Sequence, residues 1–258
     1  MDESGLLNFW IMKKRIGLFM AAALAALAIV SCSKDEGPDY SKMYLNWIVT
    51  CKNTEDGKTY LQLDDETTGY VRNIDRQLFK GRQVRALANL TDFGKGPEGY
   101  DRTVEINRID SIRTKSPVPT AGAENDEKYG SAPVEILKSW ATLIEDDYLN
   151  LCFETFWGYP SKVHYINLLT GTDPEDPYVL ELRHDSNGDT ESYDRAVSIV
   201  AFDLRELPDT EGKTVKLTLN YQSYSGKKSI QFDYCSGKPS NDTEGVKPDN
   251  LDLTLKIE

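Results

Sequence analysis

From about residue 43 onward, short runs of alternating apolar and polar residues dominate the chain. Alternation with a period of two is typical of β-strands, because successive side chains point to opposite faces of a sheet. A first group of such runs predicts strands at residues 43–49, 59–63, 83–90 and 102–112. Four or five strands in a segment of this length are typical of a small barrel.

Two local signals refine this first group. The Asp56-Gly57 pair between the first two runs predicts a hairpin turn, since glycine accepts the positive φ that tight turns require. In the run at 102–112, Val104 and Ile106 alternate, but Ile109 falls out of phase with them. An out-of-phase position within a long strand predicts a β-bulge.

A second group of alternating runs extends from about residue 133 to the C-terminus. It predicts strands at residues 149–153, 163–169, 178–184, 198–204, 215–221, 230–234 and 251–257. Polar residues occupy the intervening positions, so we expect sheets with one buried face that pack together as an antiparallel β-sandwich. Asn187-Gly188 predicts a hairpin turn between two of these strands. Residues 132–144 fit a short helix and a strand equally well.

The two groups are separated by residues 116–132, which contain prolines, glycines and charges without periodicity. We expect a linker there. The chain is thus predicted to be all-β, with a small barrel at residues 43–115 and a β-sandwich at residues 133–258.

The N-terminal part carries the pattern of an exported protein. Lys13, Lys14 and Arg15 precede an apolar run at residues 16–30, whose helical length of about 22 Å is less than the ~30 Å hydrocarbon core of a bilayer. That length is typical of a signal-peptide core rather than of a permanent membrane span. The run ends in Ser31-Cys32, which resembles the lipobox of bacterial lipoproteins, so we expect a lipid on Cys32.

Residues 1–32 are therefore interpreted as a lipoprotein signal peptide, with translation expected to start at Met12, and residues 33–42 as a tether. The lipid anchor makes the membrane the first expected partner. Asp35 and Glu36 resemble the acidic signal that directs some lipoproteins to the cell surface. We expect an outer-membrane location, with surface exposure favoured over the periplasmic side.

Charge narrows the choice of further partners. The chain has a net charge of −12, and because its first 32 residues hold three basic and two acidic side chains, the remainder carries −13. A surface this acidic repels phosphate backbones, so we expect no nucleic-acid partner. Four cysteines occur, and with Cys32 acylated an odd number remains, which is no disulfide framework. We interpret Cys51, Cys152 and Cys235 as packing residues, with one disulfide as the alternative.

No motif for catalysis, a cofactor or a metal is present. The sequence has no GxSxG nucleophile elbow, Walker A loop, dinucleotide-binding glycine motif or HExxH. The histidines, His164 and His184, are interpreted as ordinary strand residues rather than as metal ligands. Residues 185–189 resemble the start of a calcium loop, but the glycine and glutamate that its sixth and twelfth positions require are replaced by Thr190 and Ala196.

Aromatic residues supply the one candidate binding site. Residues 156–160, which contain Phe156, Trp157 and Tyr159, lie at a predicted turn. Apolar rings at a turn have no obvious core to pack against, so we treat these three as a candidate binding loop, with packing of the loop itself as the alternative.

Several segments together resemble the NigD-like lipoproteins. The resemblance covers most of the chain after the signal and includes residues 60–65 (YLQLDD), 81–86 (GRQVRA), 104–115 (VEINRIDSIRTK), 148–153 (YLNLCF) and 180–194 (LELRHDSNGDTESYD). It implies an OB-like N-terminal barrel followed by a C-terminal β-sandwich. The family takes its name from a presumed bacteriocin immunity protein, and it has no established catalytic residues to carry over.

We therefore favour a non-catalytic envelope lipoprotein that binds a protein or a glycan, in the manner of an immunity protein. The acidic charge fits a basic peptide partner, for instance a cationic toxin. A hydrolase that uses carboxylates is the alternative, and it would need a pocket that gathers His184, Asp185 and Asp189 with other acids. An accessory subunit of a surface complex is a further alternative.

Overall fold

The structure is a computed structural model, and it describes residues 44–158, 162–189 and 194–237. Cys32, where we expect the lipid, Tyr159 of the predicted binding loop and the strand predicted at 251–257 lie outside the described residues. Within the described ranges, the helices are too short or too polar to cross a bilayer.

The first domain is a closed five-stranded barrel in which neighbours follow the order β1-β2-β3-β5-β4. Its strands are β1 (Trp47–Asn53), β2 (Thr59–Gln62), β3 (Thr68–Val71), β4 (Val84–Lys95) and β5 (Arg102–Ser111). A 3-10 turn, Phe79–Gly81, precedes β4. The pairing of β3 with β5 is parallel, and the other pairs in the barrel are antiparallel. This architecture confirms the predicted barrel.

Both local signals in the barrel are confirmed. Gly57 has a φ of 82° in the turn between β1 and β2, where a side chain would be strained. Across the β4–β5 pair, Asn89 lies opposite Arg108 whereas Leu90 lies opposite Ile106. Asn107 is therefore the extra residue of a β-bulge, which accounts for the change of phase in the sequence.

The second domain is a sandwich of two sheets. One contains β6 (Arg113–Lys115), β13 (Arg195–Asp203), β10 (Tyr148–Phe156) and β8 (Glu135–Ile136), with β9 (Leu143–Glu145) also paired to β10. The other has the order β15 (Gly226–Tyr234), β14 (Val215–Ser223), β12 (Val179–Asp185), β11 (Tyr165–Thr170) and β7 (Val118–Pro119). The β-sandwich fold is confirmed; within it the pairs β6–β13, β7–β11 and β12–β14 are parallel.

The sandwich core lies between the two sheets, as the alternation predicts. Leu149, Leu151 and Phe153 of β10 face Leu180 and Leu182 of β12, and each is almost completely buried. Burial of apolar surface at this interface is the main term that stabilises the domain.

Residues 116–132, which the sequence predicts to be a linker, form part of the sandwich in the structure. They contain β7, a 3-10 turn at Gly122–Glu124 and a short helix, α1 (Asn125–Tyr129). Val118 and Pro119 pair with the outer side of β11. Proline is accepted in such an edge strand because one side of the strand makes no ladder hydrogen bonds. The prolines that suggested a linker thus mark the edge of a sheet.

The expectation that each sheet has a single buried face is wrong for the sheet that contains β10 and β13. Its second face packs on the barrel, where Cys152 and Ile199 contact a cluster that includes Ile48 and Leu87. The alternate positions along these strands are apolar or small enough to be buried, and the barrel, rather than solvent, covers them.

Two further expectations are settled in the second domain. Asn187 and Gly188 have φ values of 52° and 70°, so the predicted tight turn forms. The strands it separates do not form a hairpin, however, because β12 pairs with β11 and β14 whereas β13 pairs with β10 and β6. Residues 132–144 are extended or turn, with β8 and the start of β9.

Cys51, Cys152 and Cys235 are free thiols, and each is buried. Cys51 lies in the barrel core, Cys152 lies between the two domains, and Cys235 accepts a hydrogen bond from Thr210 Oγ1 at 3.7 Å. Their interpretation as packing residues is confirmed, since none pairs with another.

Candidate functional site

One end of the sandwich holds a cavity of about 300 Å³ over a buried group of polar side chains. The cavity opens between the turn after β12 and the turn between β14 and β15. Its walls are formed by Ala132, Pro133, Thr155, Phe156, His184, Ser186, Asp189 and Tyr224.

The two histidines reach this place because they continue the apolar faces of their strands. His184 is in phase with Leu180 and Leu182 on β12, so it points into the sandwich. His164 precedes β11 and is in phase with the buried Ile166. Each apolar stripe therefore ends in an imidazole at the same end of the sandwich, and both rings are almost completely buried.

These histidines and Asp189 form one hydrogen-bonded chain. Nδ1 of His164 lies 2.9 Å from Nε2 of His184, and Nε2 of His164 lies 3.3 Å from Oδ2 of Asp189. The same carboxylate oxygen accepts a hydrogen bond of 2.8 Å from the backbone N–H of Gly158. The Asn187-Gly188 turn matters here because it brings Asp189 back against His164.

Burial controls the protonation of this chain. Burial and the neighbouring His164 lower the pKa of His184 to about 4, while backbone hydrogen bonds with Ala132 and Pro133 act against the shift. Burial also lowers the pKa of His164, and the Asp189 carboxylate opposes that change. Both imidazoles are thus held towards their neutral forms at neutral pH.

The mouth of the cavity is aromatic. The rings of Phe156 and Tyr224 meet edge to face, with their centroids 5.0 Å apart. The guanidinium of Arg195 lies over both rings, 5.4 Å and 5.7 Å from the two centroids, and pairs with Glu154. The Tyr224 hydroxyl accepts the Phe156 backbone N–H at 2.9 Å and lies 2.9 Å from Thr155 Oγ1.

A close backbone approach sets the opposite wall. Gly130 ends α1 with a φ of 78°, and a Cβ added there would lie 2.5 Å from both the His184 carbonyl oxygen and the Asp185 Cα. Only glycine therefore allows the chain to pass so near β12. Directly afterwards, the Ala132 N–H donates to the His184 carbonyl at 2.9 Å, which places Ala132 and Pro133 beside the imidazole.

The two described residues of the predicted binding loop, Phe156 and Trp157, have different surroundings. Phe156 lines the cavity, whereas Trp157 packs against the sandwich core and donates its indole N–H to the Lys162 carbonyl at 3.3 Å. Trp157 thus fits the alternative of loop packing. Tyr159 lies outside the described residues. The assignment of a ligand to this loop stays a prediction.

The cavity offers little to a hydrolase that uses two carboxylates. Asp189 is the one acidic residue in its described walls, and Asp185 is directed away, with its Oδ1 accepting the Asn187 N–H at 2.7 Å. Paired acids on opposite sides of the scissile bond are what glycoside hydrolysis requires. Among the described residues, no group of three or more His, Cys, Asp and Glu side chains is placed to hold a metal ion.

Sequence reasoning missed the connection between His164, His184 and Asp189. The phase of each histidine within its apolar stripe was a usable signal for burial. Their pairing depends on the register of β11 against β12, in which Ile166 lies opposite His184. The role of Tyr224 had no local signal, because the turn after β14 gives no indication of which loop it meets.

The closed five-stranded barrel and the two packed sheets define a two-domain protein with an OB-like barrel and a β-sandwich. Two family models match the chain in that order: the NigD-like N-terminal OB domain at residues 48–112 and the NigD-like C-terminal beta sandwich domain at residues 116–234. No curated protein sequence matches the chain.

Solved structures agree with this assignment. A toxin-related protein from Parabacteroides distasonis is 35% identical, with a TM-score of 0.61, and the match covers 74% of this chain and 94% of that one. A protein of unknown function from Bacteroides vulgatus is 23% identical, with a TM-score of 0.64 and coverages of 82% and 99%. A NigD-like immunity protein from Bacteroides caccae is 21% identical, with a TM-score of 0.54 and coverages of 74% and 97%. The chain belongs to the NigD-like family.

Proposed function

We propose that this chain is a non-catalytic, immunity-type lipoprotein of the bacterial envelope that binds a protein ligand at the sandwich-end cavity. The observation that carries the proposal is the mouth of that cavity. There, the rings of Phe156 and Tyr224 line an opening beside the buried His184, and the guanidinium of Arg195 lies over both rings.

Side chains of these types are the ones that contribute most to binding at interfaces. Tyrosine and arginine are enriched at positions whose truncation weakens protein complexes. Tyr224 is 37% exposed, so its ring is available at the surface although its hydroxyl is bonded to Thr155 and Phe156. A mouth held by such hydrogen bonds loses little conformational entropy when a ligand binds.

The cavity has a volume of about 300 Å³, at the lower limit of the roughly 300–1,000 Å³ that sites for drug-sized ligands span, so one inserted side chain fills much of it. Long-range attraction would come from the acidic remainder of the chain, whose net charge is −13 after Cys32. We propose a cationic protein as the ligand, approached through this field and anchored by one apolar or aromatic side chain in the cavity.

The absence of a second carboxylate in the described walls supports a binding role over hydrolysis. The buried histidine chain then has a structural task, which is to form a polar floor in which His164 joins His184 to Asp189. The lipid on Cys32 would hold the binding domain at the outer membrane, with the acidic residues after it favouring the cell surface.

A protection assay tests this function. A strain that lacks the protein is complemented with the wild-type chain, with F156A/Y224A, or with Y70A as a matched control for an exposed aromatic residue on the barrel. Survival is measured after exposure to bacteriocin-containing supernatants from related strains. We expect the deletion strain to become sensitive to at least one supernatant, and the wild type and Y70A, but not F156A/Y224A, to restore survival.

Equal survival of the deletion and wild-type strains with every supernatant would remove the immunity role. Protection by F156A/Y224A equal to that of the wild type would remove the cavity as its site. The anchor is tested separately by labelling cells with palmitate. The wild type should incorporate the label and Cys32→Ala should not, and labelling of both to the same extent would contradict acylation at Cys32.

A further inference from the structure

A second cavity lies between the barrel and the sandwich and shares no wall residue with the first. It has a volume of about 520 Å³ and is bounded by the segment before β4, the end of β5, β6 and the loop after β13. The residues that decide its chemistry are Arg82, Gln83, Arg113, Tyr148, Asp203 and Arg205.

This second cavity forms a cleft between the two domains, and the cleft is basic although the protein as a whole is strongly acidic. Its walls hold the cationic residues Arg82, Arg113, Lys115 and Arg205 and a single carboxylate, that of Asp203. Arg205 already pairs with that carboxylate, donating from Nε to Oδ1 at 2.8 Å and from its terminal nitrogen to Oδ2. The local charge is therefore positive although the chain after Cys32 carries −13. Several positive charges gathered on one concave surface favour the binding of an anion there.

Arg82 and Arg113 are the available cations. Among the described residues, neither forms an ion pair, and the one side-chain hydrogen bond of Arg82 is a long one of 3.5 Å from Nε to the Phe79 carbonyl. Arg113 belongs to β6, which is fixed to β13 by its register with Val200. The two guanidinium groups thus approach the cleft from the barrel and from the sandwich.

A buried hydroxyl supplies an independent indication of a ligand. Tyr148 is only 3% exposed, and its phenolic oxygen accepts hydrogen bonds from Gln83 Nε2 at 2.9 Å and from Arg205 at 2.8 Å. Burial raises the pKa of this phenol, so it keeps its proton at neutral pH. Because both contacts use the oxygen as acceptor, the O–H hydrogen has no acceptor among the described residues. A buried donor without an acceptor, in the wall of a basic cleft, matches an anionic oxygen.

The backbone before β4 is shaped to present Arg82. Phe79 and Lys80 have φ values of 49° and 56°. Residues other than glycine, asparagine and aspartate rarely adopt this left-handed backbone conformation. The Gly81 N–H donates to the Leu78 carbonyl at 2.9 Å, which closes the turn. Residues held in this conformation are concentrated at binding sites.

We propose that the cleft binds a phosphate or sulfate monoester group, held by the guanidinium groups of Arg82 and Arg113 and by the hydroxyl of Tyr148. Planar guanidinium groups match tetrahedral oxyanions through paired N–H donors, and the phenol adds a third direction. The group could belong to a soluble sugar ester or to the headgroup of a membrane lipid. This site is independent of the proposed function, since it uses none of the residues of the sandwich-end cavity.

Calorimetric titration of the full-length chain in detergent tests the site. The probes are glucose 6-phosphate with glucose as its uncharged counterpart, and dihexanoyl phosphatidic acid with dihexanoyl phosphatidylcholine. Binding of the sugar phosphate supports a soluble source, and binding of the phosphatidic acid alone supports a lipid source. We expect affinity to fall with rising salt, and neither counterpart to bind.

Variants assign the binding to the cleft. We expect R82Q and R113Q each to weaken binding by roughly tenfold, and Y148F to do so to a similar degree, as is usual for loss of a hydrogen bond to a charged group. Arg76→Gln, a change of the same charge on the barrel outside the cleft, should leave the affinity unchanged. Thermal unfolding checks that each variant folds. The proposal is overturned if neither charged probe binds, if R82Q and R113Q bind as the wild type does, or if Y148F is without effect.

Discussion

This protein contains two buried networks of hydrogen-bonded polar side chains, and their surroundings differ. Between the domains, Arg85 is completely buried and each of its three guanidinium nitrogens donates a hydrogen bond, to Asn150 Oδ1 at 3.1 Å, to Thr50 Oγ1 at 3.0 Å and to Glu145. At the end of the sandwich, His164, His184 and Asp189 form a hydrogen-bonded chain below an open cavity.

The difference lies in what closes each network. Arg85 belongs to β4 and takes its partners from β1, β9 and β10, so the network is enclosed by protein and holds the barrel and the sandwich together as a lock. The histidine network is protein-bound at one side and faces a cavity at the other. A buried charge with all its partners fixes one arrangement of the chain, whereas a buried polar group beside a cavity can also respond to a ligand.

The largest expected effect comes from breaking the lock. Arg85→Met leaves Glu145 buried without its cation and should lower the free energy of unfolding by about 3–5 kcal/mol, as is usual when one partner of a buried ion pair is removed. Urea denaturation measures the change. R85M/E145L should recover much of the loss because no charge is left unpaired, and Arg102→Met at the exposed Arg102–Asp92 pair should have no measurable effect. A loss in R85M no larger than that in R102M would show that the network is not a lock.

The second largest effect is expected from pH, which should change the free energy of unfolding through the histidine network. The fold lowers the pKa of His184 from 6.5 to about 4, so the unfolded chain takes up a proton in this window that the folded chain does not. The contribution of His184 is thus complete above pH 6.5 and is lost as pH falls towards 4. Between pH 7.5 and 5 the loss should be about 2 kcal/mol.

His184→Gln isolates this effect, since glutamine does not titrate. Burial raises the pKa of Glu145 to about 7, which acts in the opposite direction, but that contribution is the same in both chains and cancels in the difference. Urea denaturation of wild type and H184Q should give free energies that converge as pH falls from 7.5 to 5. Parallel pH profiles would mean that His184 titrates normally in the folded protein.

The smallest effect is expected at the mouth of the cavity. Tyr224→Phe removes the hydroxyl that accepts the Phe156 N–H, and water can replace it at this partly exposed position. The free energy of unfolding should fall by about 1 kcal/mol or less. Thermal unfolding provides the measurement, and Tyr165→Phe, which alters another exposed tyrosine, is the control. A loss of unfolding free energy comparable to that of R85M would mean that Tyr224 serves mainly to stabilise the fold rather than to bind a ligand.

Much of the fold could be predicted from local patterns. The hairpin turn at Gly57, the bulge at Asn107 and the order of barrel and sandwich all follow from positions a few residues apart. The same approach failed for residues 116–132 and for the outer face of the β10 sheet. In both cases the sequence is compatible with exposure, and a distant part of the chain covers it.

The candidate site was predictable only in fragments. Phe156 was identified because an aromatic residue at a turn lacks an obvious core, but the same argument also selected Trp157, which packs on the sandwich. His184 and Asp189 are five residues apart, yet their link runs through His164, which belongs to another strand.

By itself, the sequence determined which residues form strands, where the chain turns and which face of most strands is apolar, because these depend on side-chain alternation and on the backbone preferences of single residues. Only the tertiary structure decided that Arg85 meets Glu145, 60 residues away, and that two histidines and an aspartate share one chain of hydrogen bonds. The physical reason is that alternation records whether a side chain is buried, whereas the partner of a buried polar group is set by strand register and domain packing.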